Sequence, residues 1–255
     1  MIANYHTHTP RCRHAFGDEE AYVESAIVRG LEILGFSDHA PQWFPGSYYS
    51  TMRMFPEQLR EYCDTVRALK EQYCRKLQIH LGVEAEYYPA IFAKLHSQLR
   101  DTGVEYMILG QHWVGNEENE PYSGMPTADE AFLARYCDQV IEGMQTGLFT
   151  YFAHPDIVRF TGERRIYEKH MRRICRTAIE TQTPLEINFL GIRAGRHYPN
   201  EIFWQLVGEE GCPVVFGIDA HEPDAILDWA SEQKAMLLVQ QYGLKLMETV
   251  TLKKL

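Results

Sequence analysis

Seven histidines and two acids, spread over the whole chain, fall where short apolar runs end. His6 and His8 follow the run Met1–Tyr5, and Asp219 and His221 follow Val214–Ile218. Between them, His39, Glu84, His112 and His154 each close a short apolar segment, and His14 lies a few residues beyond the first pair. Imidazole and carboxylate are the usual ligands of zinc, manganese and iron. Nine such groups exceed what one ion takes, so the set points to a multinuclear metal centre. Local spacing agrees with this. Residues i and i+2 of a strand face the same side. His6-Thr-His8 can therefore offer two imidazoles to one ion, and Asp219-Ala-His221 repeats the geometry near the other end of the chain. Glu84-Ala-Glu86 sets two carboxylates at the same spacing, and a carboxylate can bridge two ions. H-x-H alone is a short pattern; the weight lies in the whole set.

Groups so far apart in sequence converge only if a repeating fold brings strand ends to one face. Short apolar runs alternate with longer amphipathic ones. Ile2–Tyr5, Leu31–Ser37, Leu77–Val83, Tyr106–Gly110, Phe149–Ala153, Leu185–Asn188 and Val214–Ile218 read as strands. Helices are expected over Asp18–Arg29, Pro56–Lys76, Ala90–Arg100, Thr127–Met144, Ile166–Glu180, Glu201–Gly208 and Asp224–Gln240. Pro56 opens its helix, where proline is tolerated, and Thr127 with Glu130 has capping-box spacing. Repeated βα units imply a parallel sheet, and an unbroken run of them a closed α/β barrel more than an open sheet. In such barrels the site lies at the C-terminal ends of the strands, where every candidate ligand falls. Leu244–Leu252 reads as a final edge strand or a tail.

The chain has 255 residues, 45% of them apolar, and no linker or low-complexity stretch, so a single domain over residues 1–255 is expected. Its formal net charge of −10 argues against a nucleic-acid-binding surface, which is usually basic. A small phosphorylated substrate needs only local cations. The six cysteines include no C-x-x-C pair, so reduced thiols in a cytoplasm are expected. Cys12 lies near the histidines and reads as a bystander more than as a soft ligand. No basic start followed by an apolar stretch marks a signal peptide, and no apolar run approaches the roughly 20 residues of a membrane helix.

Y-H-T-H-T-P at 5–10, His14, S-D-H-A at 37–40, G-V-E-A-E-Y at 82–87, G-Q-H at 110–112, A-H-P-D at 153–156 and G-I-D-A-H-E-P at 217–223 together resemble the PHP family, named for polymerase and histidinol phosphatase. The resemblance runs in order over nearly the whole chain. It implies a distorted, TIM-like (β/α)7 barrel and two or three divalent ions, with zinc, manganese and iron all admitted. By that resemblance His6, His8, Glu84 and Asp219 would hold one ion. Glu84 would bridge to a second, held also by His112 and His154, and His14, His39 and His221 would hold the third. Glu84, Asp219 and His221 would then take part directly in catalysis.

L-E-I-N-F-L-G-I-R-A-G-R-H-Y-P at 185–199 resembles the histidinol phosphatases of that family. This implies a metal-dependent phosphomonoesterase acting on L-histidinol phosphate in histidine biosynthesis, with Arg193 on the substrate phosphate. The alternative is a PHP phosphoesterase with another small phosphorylated substrate or a nucleotide. A forked, always-charged guanidinium suits phosphate. Arg159, five residues after His154, is a second candidate, Arg196 and Arg164 are weaker ones, and Asn188 is placed to orient substrate or water. Glu86 and Asp156 are candidates for the cationic end of the substrate. The aromatic stretches Trp43–Met54 and Trp113–Met125 follow ligand-bearing strand ends and should wall the pocket. An amidohydrolase-type C–N hydrolase also begins with H-x-H, but lacks the set His14, His39 and His221. A non-catalytic metal protein gives no reason for an arginine beside the ions.

Overall fold

The computed structural model describes residues Met1–Leu255. Its strands lie side by side in chain order, all parallel. They are β1 (Ala3–Asn4), β2 (Ile33–Phe36), β3 (Gln78–Ala85), β4 (Tyr106–Leu109), β5 (Phe149–Phe152), β6 (Leu185–Asn188), β7 (Pro213–Gly217) and β8 (Lys245–Leu246). The helices between them are α1 (Glu19–Arg29), α2 (Leu59–Gln72), α3 (Pro89–Asp101), α4 (Glu130–Gln145), α5 (Arg164–Glu180), α6 (Phe189–Arg193), α7 (Glu201–Glu210) and α8 (Trp229–Tyr242). No helix is long and apolar enough to cross a membrane.

The barrel closes at its C-terminal mouth through seven strands. Beyond the ends of β1 and β7, Thr7 bridges Ala220, and His8 N donates to Ala220 O at 2.9 Å. β8 is an addition at the opposite end, where it pairs with the first residues of β7. The stretch Leu244–Leu252 is thus both edge strand and tail. Beyond β8, Val250 and Leu252 pack against the interior cluster that contains Tyr5, Tyr106 and Tyr151.

Alternation along the strands builds two cores. Leu34, Phe36, Ile79, Leu81, Val83, Met107, Leu109, Ile187 and Phe216 face outward into the large core shared with the helices. Ala3, Tyr5, Tyr106, Ile108, Tyr151, Ala153 and Val215 face inward and fill the barrel. Both faces are buried, as a parallel sheet requires. Tyr106 lies across the interior. Its hydroxyl donates to the carbonyls of Tyr5 (2.8 Å) and Phe36 (3.2 Å). Its ring covers Gly82, where a Cβ would come within 2.2 Å of it.

Several boundaries differ from expectation. α4 starts at Glu130, because Asp129 caps it by accepting from Ala131 N, while Thr127 bridges Phe160 instead. Pro56–Gln58 forms a separate 3₁₀ turn before α2, and Pro223–Leu227 another before α8. α6 has five residues, too few to show a period in the sequence.

Tyr106→Phe removes the one buried hydroxyl proton that the Tyr5 and Phe36 carbonyls share and should lower unfolding free energy by about 1–2 kcal/mol. Gly82→Ala overfills the same spot and should cost about 1–3 kcal/mol. Urea denaturation reads both; a Gly82→Ala protein as stable as the parent would contradict a filled barrel.

Candidate metal centre

The strand ends bring all nine expected ligands to one face of the barrel, around Glu84. Glu84 Oε2 lies 3.5 Å from Nε2 of both His6 and His8, and 3.0 Å from His39 Nδ1. Its other oxygen lies 2.8 Å from His154 Nε2 and 3.7 Å from His112 Nε2. Asp219 Oδ1 lies 3.1 Å from His8 Nε2, 3.5 Å from His6 Nε2 and 3.4 Å from His221 Nδ1. The donor atoms of His6, His8 and Asp219 lie within 4.8 Å of one another, as do those of His6, Glu84 and His154, and of His14, His39 and His221. Cys12 forms a further such group with His8 and His221 and is fully buried.

Backbone geometry makes the convergence possible. Glu84 lies over Gly110 of the neighbouring strand end, where a Cβ would stand 1.9 Å from its Oε1. His154 (φ 34°) and Asp219 (φ 51°) hold left-handed backbones. Non-glycine residues in this region mark strain that surrounding structure maintains, and such strain gathers at functional sites.

Glu84 and Asp219 are buried, and no lysine or arginine pairs with either. Burial alone would raise their carboxyls, but the surrounding imidazoles hold both well below the usual range. Burial also opposes charge on His6, yet Glu186, Asp219 and Glu84 outweigh it and push His6 up to about 10. His39 and His221 are pushed well below the ordinary range, by burial first. His6 Nε2, His8 Nε2, Glu84 Oε2 and Asp219 Oδ1 are buried without a hydrogen-bond partner. Buried polar atoms are rarely left so. Converging lone pairs with excess negative charge are what divalent cations satisfy, so these residues fit the expected ions.

A second ring of residues fixes the imidazoles, and sequence reasoning missed most of it. Glu186 Oε1 lies 2.8 Å from His6 Nδ1, and its Oε2 accepts from His154 N (2.9 Å) and Asn188 Nδ2 (2.9 Å). Asp38 Oδ1 lies 3.5 Å from His8 Nδ1, and Thr9 Oγ1 donates to Asp38 Oδ2. Glu86 Oε1 lies 3.0 Å from His112 Nδ1. Carboxylates behind metal-binding histidines fix tautomer and ring orientation. Arg53, also missed, is buried and donates to both oxygens of Glu86 (2.8 and 2.9 Å) and to Glu117 (2.5 Å). Burial works against Glu86, but Arg53 and His112 hold it at about 2. The Arg53 contacts pin the loop from β2 to the loop from β4.

Seven of the nine, all but His6 and His8, line a cavity of about 560 Å3, together with Thr51, Met52, Trp113, Tyr122, Leu190, Arg196 and Tyr198. Both aromatic stretches therefore contribute walls, as expected. The three residues read as substrate ligands are not part of that lining. Arg193 pairs with Asp228 at 3.0 Å and donates to Asp219 O at 3.3 Å. Arg159 sits exposed on a loop beyond the lining. Asn188 is buried, caps α6 and donates to Glu186 and to Asp219 Oδ2 (3.0 Å). Arg196, the weaker candidate, is the arginine that lines the cavity, with Nη1 donating to Tyr198 Oη at 2.7 Å. Nor are Glu86 and Asp156 free for substrate. Glu86 is taken by Arg53 and His112. Asp156 is buried, accepting from Trp204 Nε1 (3.0 Å) and Asn200 N (2.5 Å), and burial pushes its carboxyl up to about 7.

A family model described as PHP domain matches residues 4–189. A protein named probable histidinol-phosphatase from Deinococcus radiodurans is 29% identical, covering 88% of each chain. The histidinol-phosphatase of Bacillus subtilis is 26% identical over 85% of this chain and 92% of its own. Among solved structures, a histidinol phosphate phosphatase from Lactococcus lactis, complexed with zinc, L-histidinol and phosphate, superposes with a TM-score of 0.74. Its identity is 21%, and the match covers 98% of this chain and 97% of that one.

Glu186→Gln keeps the shape behind His6 but removes the charge. Losing such a support typically costs ten- to a hundredfold in metal affinity, on the order of that seen for outer-shell partners. Competition with a chromophoric chelator measures it; parent-like affinity would show that Glu186 does not position His6.

Proposed function

The chain belongs to the PHP domain family, whose model spans residues 4–189, and from that membership we propose that it is a metal-dependent phosphomonoesterase hydrolysing L-histidinol phosphate to L-histidinol and phosphate. The observation that carries this reading is a cavity lined both by seven members of the nine-residue cluster and by a cationic arginine. The relatives named histidinol-phosphatase, matched over most of their length, support the choice of substrate.

His6, His8 and Asp219 would hold one ion and His112 and His154 a second, with Glu84 shared between them. His14, His39 and His221 would hold a third. The mixed nitrogen and oxygen donors admit zinc, manganese and iron. When bound, such ions supply Lewis-acid charge at the phosphoryl oxygens and acidify a water for attack.

The chain's own residues do the rest. Glu84 fixes the spacing between the two halves of the cluster. Arg196 places a forked cation in the cavity, and the Tyr198 hydroxyl fixes its direction, so Arg196 meets the phosphoryl oxygens. Arg193 acts one step back, holding the carbonyl of Asp219 and the carboxylate of Asp228. Trp113, Tyr122 and Met52 wall the cavity. Asp219 Oδ1 lies 3.4 Å from His221 Nδ1 and fixes the orientation of that ring beside the cluster.

The metal-loaded protein should hydrolyse histidinol phosphate, lose that activity to a chelator and regain it with divalent ions. Arg196→Ala should lower kcat/KM about ten- to over a hundredfold, the worth of a charge-assisted contact of roughly 1.5–3 kcal/mol. Arg196→Lys should recover part of it. A larger loss from Arg193→Ala than from Arg196→Ala, at equal metal content, would place the phosphate on Arg193 instead.

A further inference from the structure

The alcohol half of histidinol phosphate carries an ammonium and an imidazole, and something in the cavity must recognise them. Carboxylates are the obvious partners for an ammonium, yet none is free here. Glu84 and Asp219 are the acids that line the cavity, and both belong to the ligand cluster. The remaining acids nearby are engaged elsewhere or face outward. Glu86 and Glu117 share Arg53, Tyr48 Oη also donates to Glu117 at 2.9 Å, and Glu120 pairs with Arg135 at 3.0 Å. Glu118 is exposed.

The cavity offers instead an aromatic corner beside the ligand His112. Trp113 and Tyr122 form a backbone bridge, and their ring centroids stand 5.6 Å apart with planes at 58°. The Tyr122 ring stacks towards His112 at 6.4 Å and 15°, and Trp113 lies 5.9 Å from the same imidazole. The corner is built on a fixed base. Ser123 N donates to His112 O at 2.7 Å, and Gly115 N to Gln139 Oε1 at 2.7 Å. Gly124 leaves room for the Tyr122 ring, since a Cβ there would stand 2.4 Å from it.

The 5.6 Å separation decides what fits. A ring sandwiched between two others needs about 7 Å, twice the van der Waals spacing of roughly 3.5 Å. No third ring enters between Trp113 and Tyr122. A compact cation can stand within about 6 Å of both centroids at once, the range of a cation–π contact. Building on the histidinol phosphate reading, we propose that Trp113 and Tyr122 form the subsite for the ammonium of the leaving alcohol. They would select cationic amino-alcohol phosphates over neutral ones without using a carboxylate. A free carboxylate at this place would compete with the cluster for metal, which an aromatic corner avoids.

The test compares histidinol phosphate with its N-acetyl derivative, which keeps the imidazole but lacks the ammonium charge. At pH 7.5 the imidazole, with a pKa of about 6.5, is mostly neutral, so the amine carries the difference. The quantity read is the ratio of kcat/KM for the two substrates, on metal-loaded protein with metal content measured. In Trp113→Leu and Tyr122→Leu the ratio should fall about three- to thirtyfold, through KM, as expected for a partly desolvated cation–π contact. Trp113→Phe and Tyr122→Phe keep a π face and should retain most of the ratio. An unchanged ratio in both leucine variants overturns the inference, even if turnover of both substrates falls, because the rings would then only shape the cavity. A ratio lost equally in the phenylalanine and leucine variants overturns it as well. If the parent cleaves p-nitrophenyl phosphate but not histidinol phosphate, the substrate assignment fails, and this inference with it.

Discussion

Two carboxylates, Glu84 and Asp219, are buried at the mouth of the barrel, and neither is ion-paired with a lysine or arginine. An ionised carboxylate taken out of water costs several kcal/mol unless positive charge compensates it. Here the compensation comes from imidazoles alone or from ions held among them. Around this requirement the rest of the site is arranged. Each oxygen of Glu84 faces a different group of histidines, and three of these, His6, His8 and His112, are in turn backed by carboxylates, Glu186, Asp38 and Glu86. Negative charge thus lies on both sides of the imidazoles, which favours cations within the ring and fixes which nitrogen faces it.

The barrel supplies what such a cluster needs from a scaffold. Parallel strands end at one face, so residues more than 200 positions apart, such as His8 and Asp219, come within 3.1 Å. Glycine at 110 leaves the slot that Glu84 occupies, and another at 217 does the same for Glu186, where a Cβ would stand 1.7 Å from its Oε1. The left-handed backbones of His154 and Asp219 turn their side chains at the strand ends. Tyr106 and the C-terminal tail fill the other end of the barrel, so polar groups gather at the mouth while the floor stays apolar.

The convergence of the nine residues and the barrel were legible in the sequence because both rest on local patterns. H-x-H, E-x-E and D-x-H fall at the ends of apolar runs, and the βα alternation says which face those ends share. What stayed hidden depends on pairs distant in sequence. Glu186 looks like an ordinary strand residue until His6, 180 positions away, is seen against it. Arg53 lies in a stretch without periodicity, and only the fold shows that it joins Glu86 to Glu117. Arg193 and Arg196 sit three residues apart around a helix too short to announce itself. Which of them lines the cavity is decided by Asp228, which draws Arg193 away. A side-chain direction of this kind follows from tertiary partners, and spacing alone does not contain it.

Anomalous diffraction from crystals grown with zinc bears most directly on the central claim, that Glu84 joins the two halves of a multinuclear cluster. The expected result is at least two strong peaks, one bounded by His6, His8 and Asp219 and one by His112 and His154, with one oxygen of Glu84 on each. A single peak, or peaks that leave Glu84 without an ion or with ions on one oxygen alone, would contradict it.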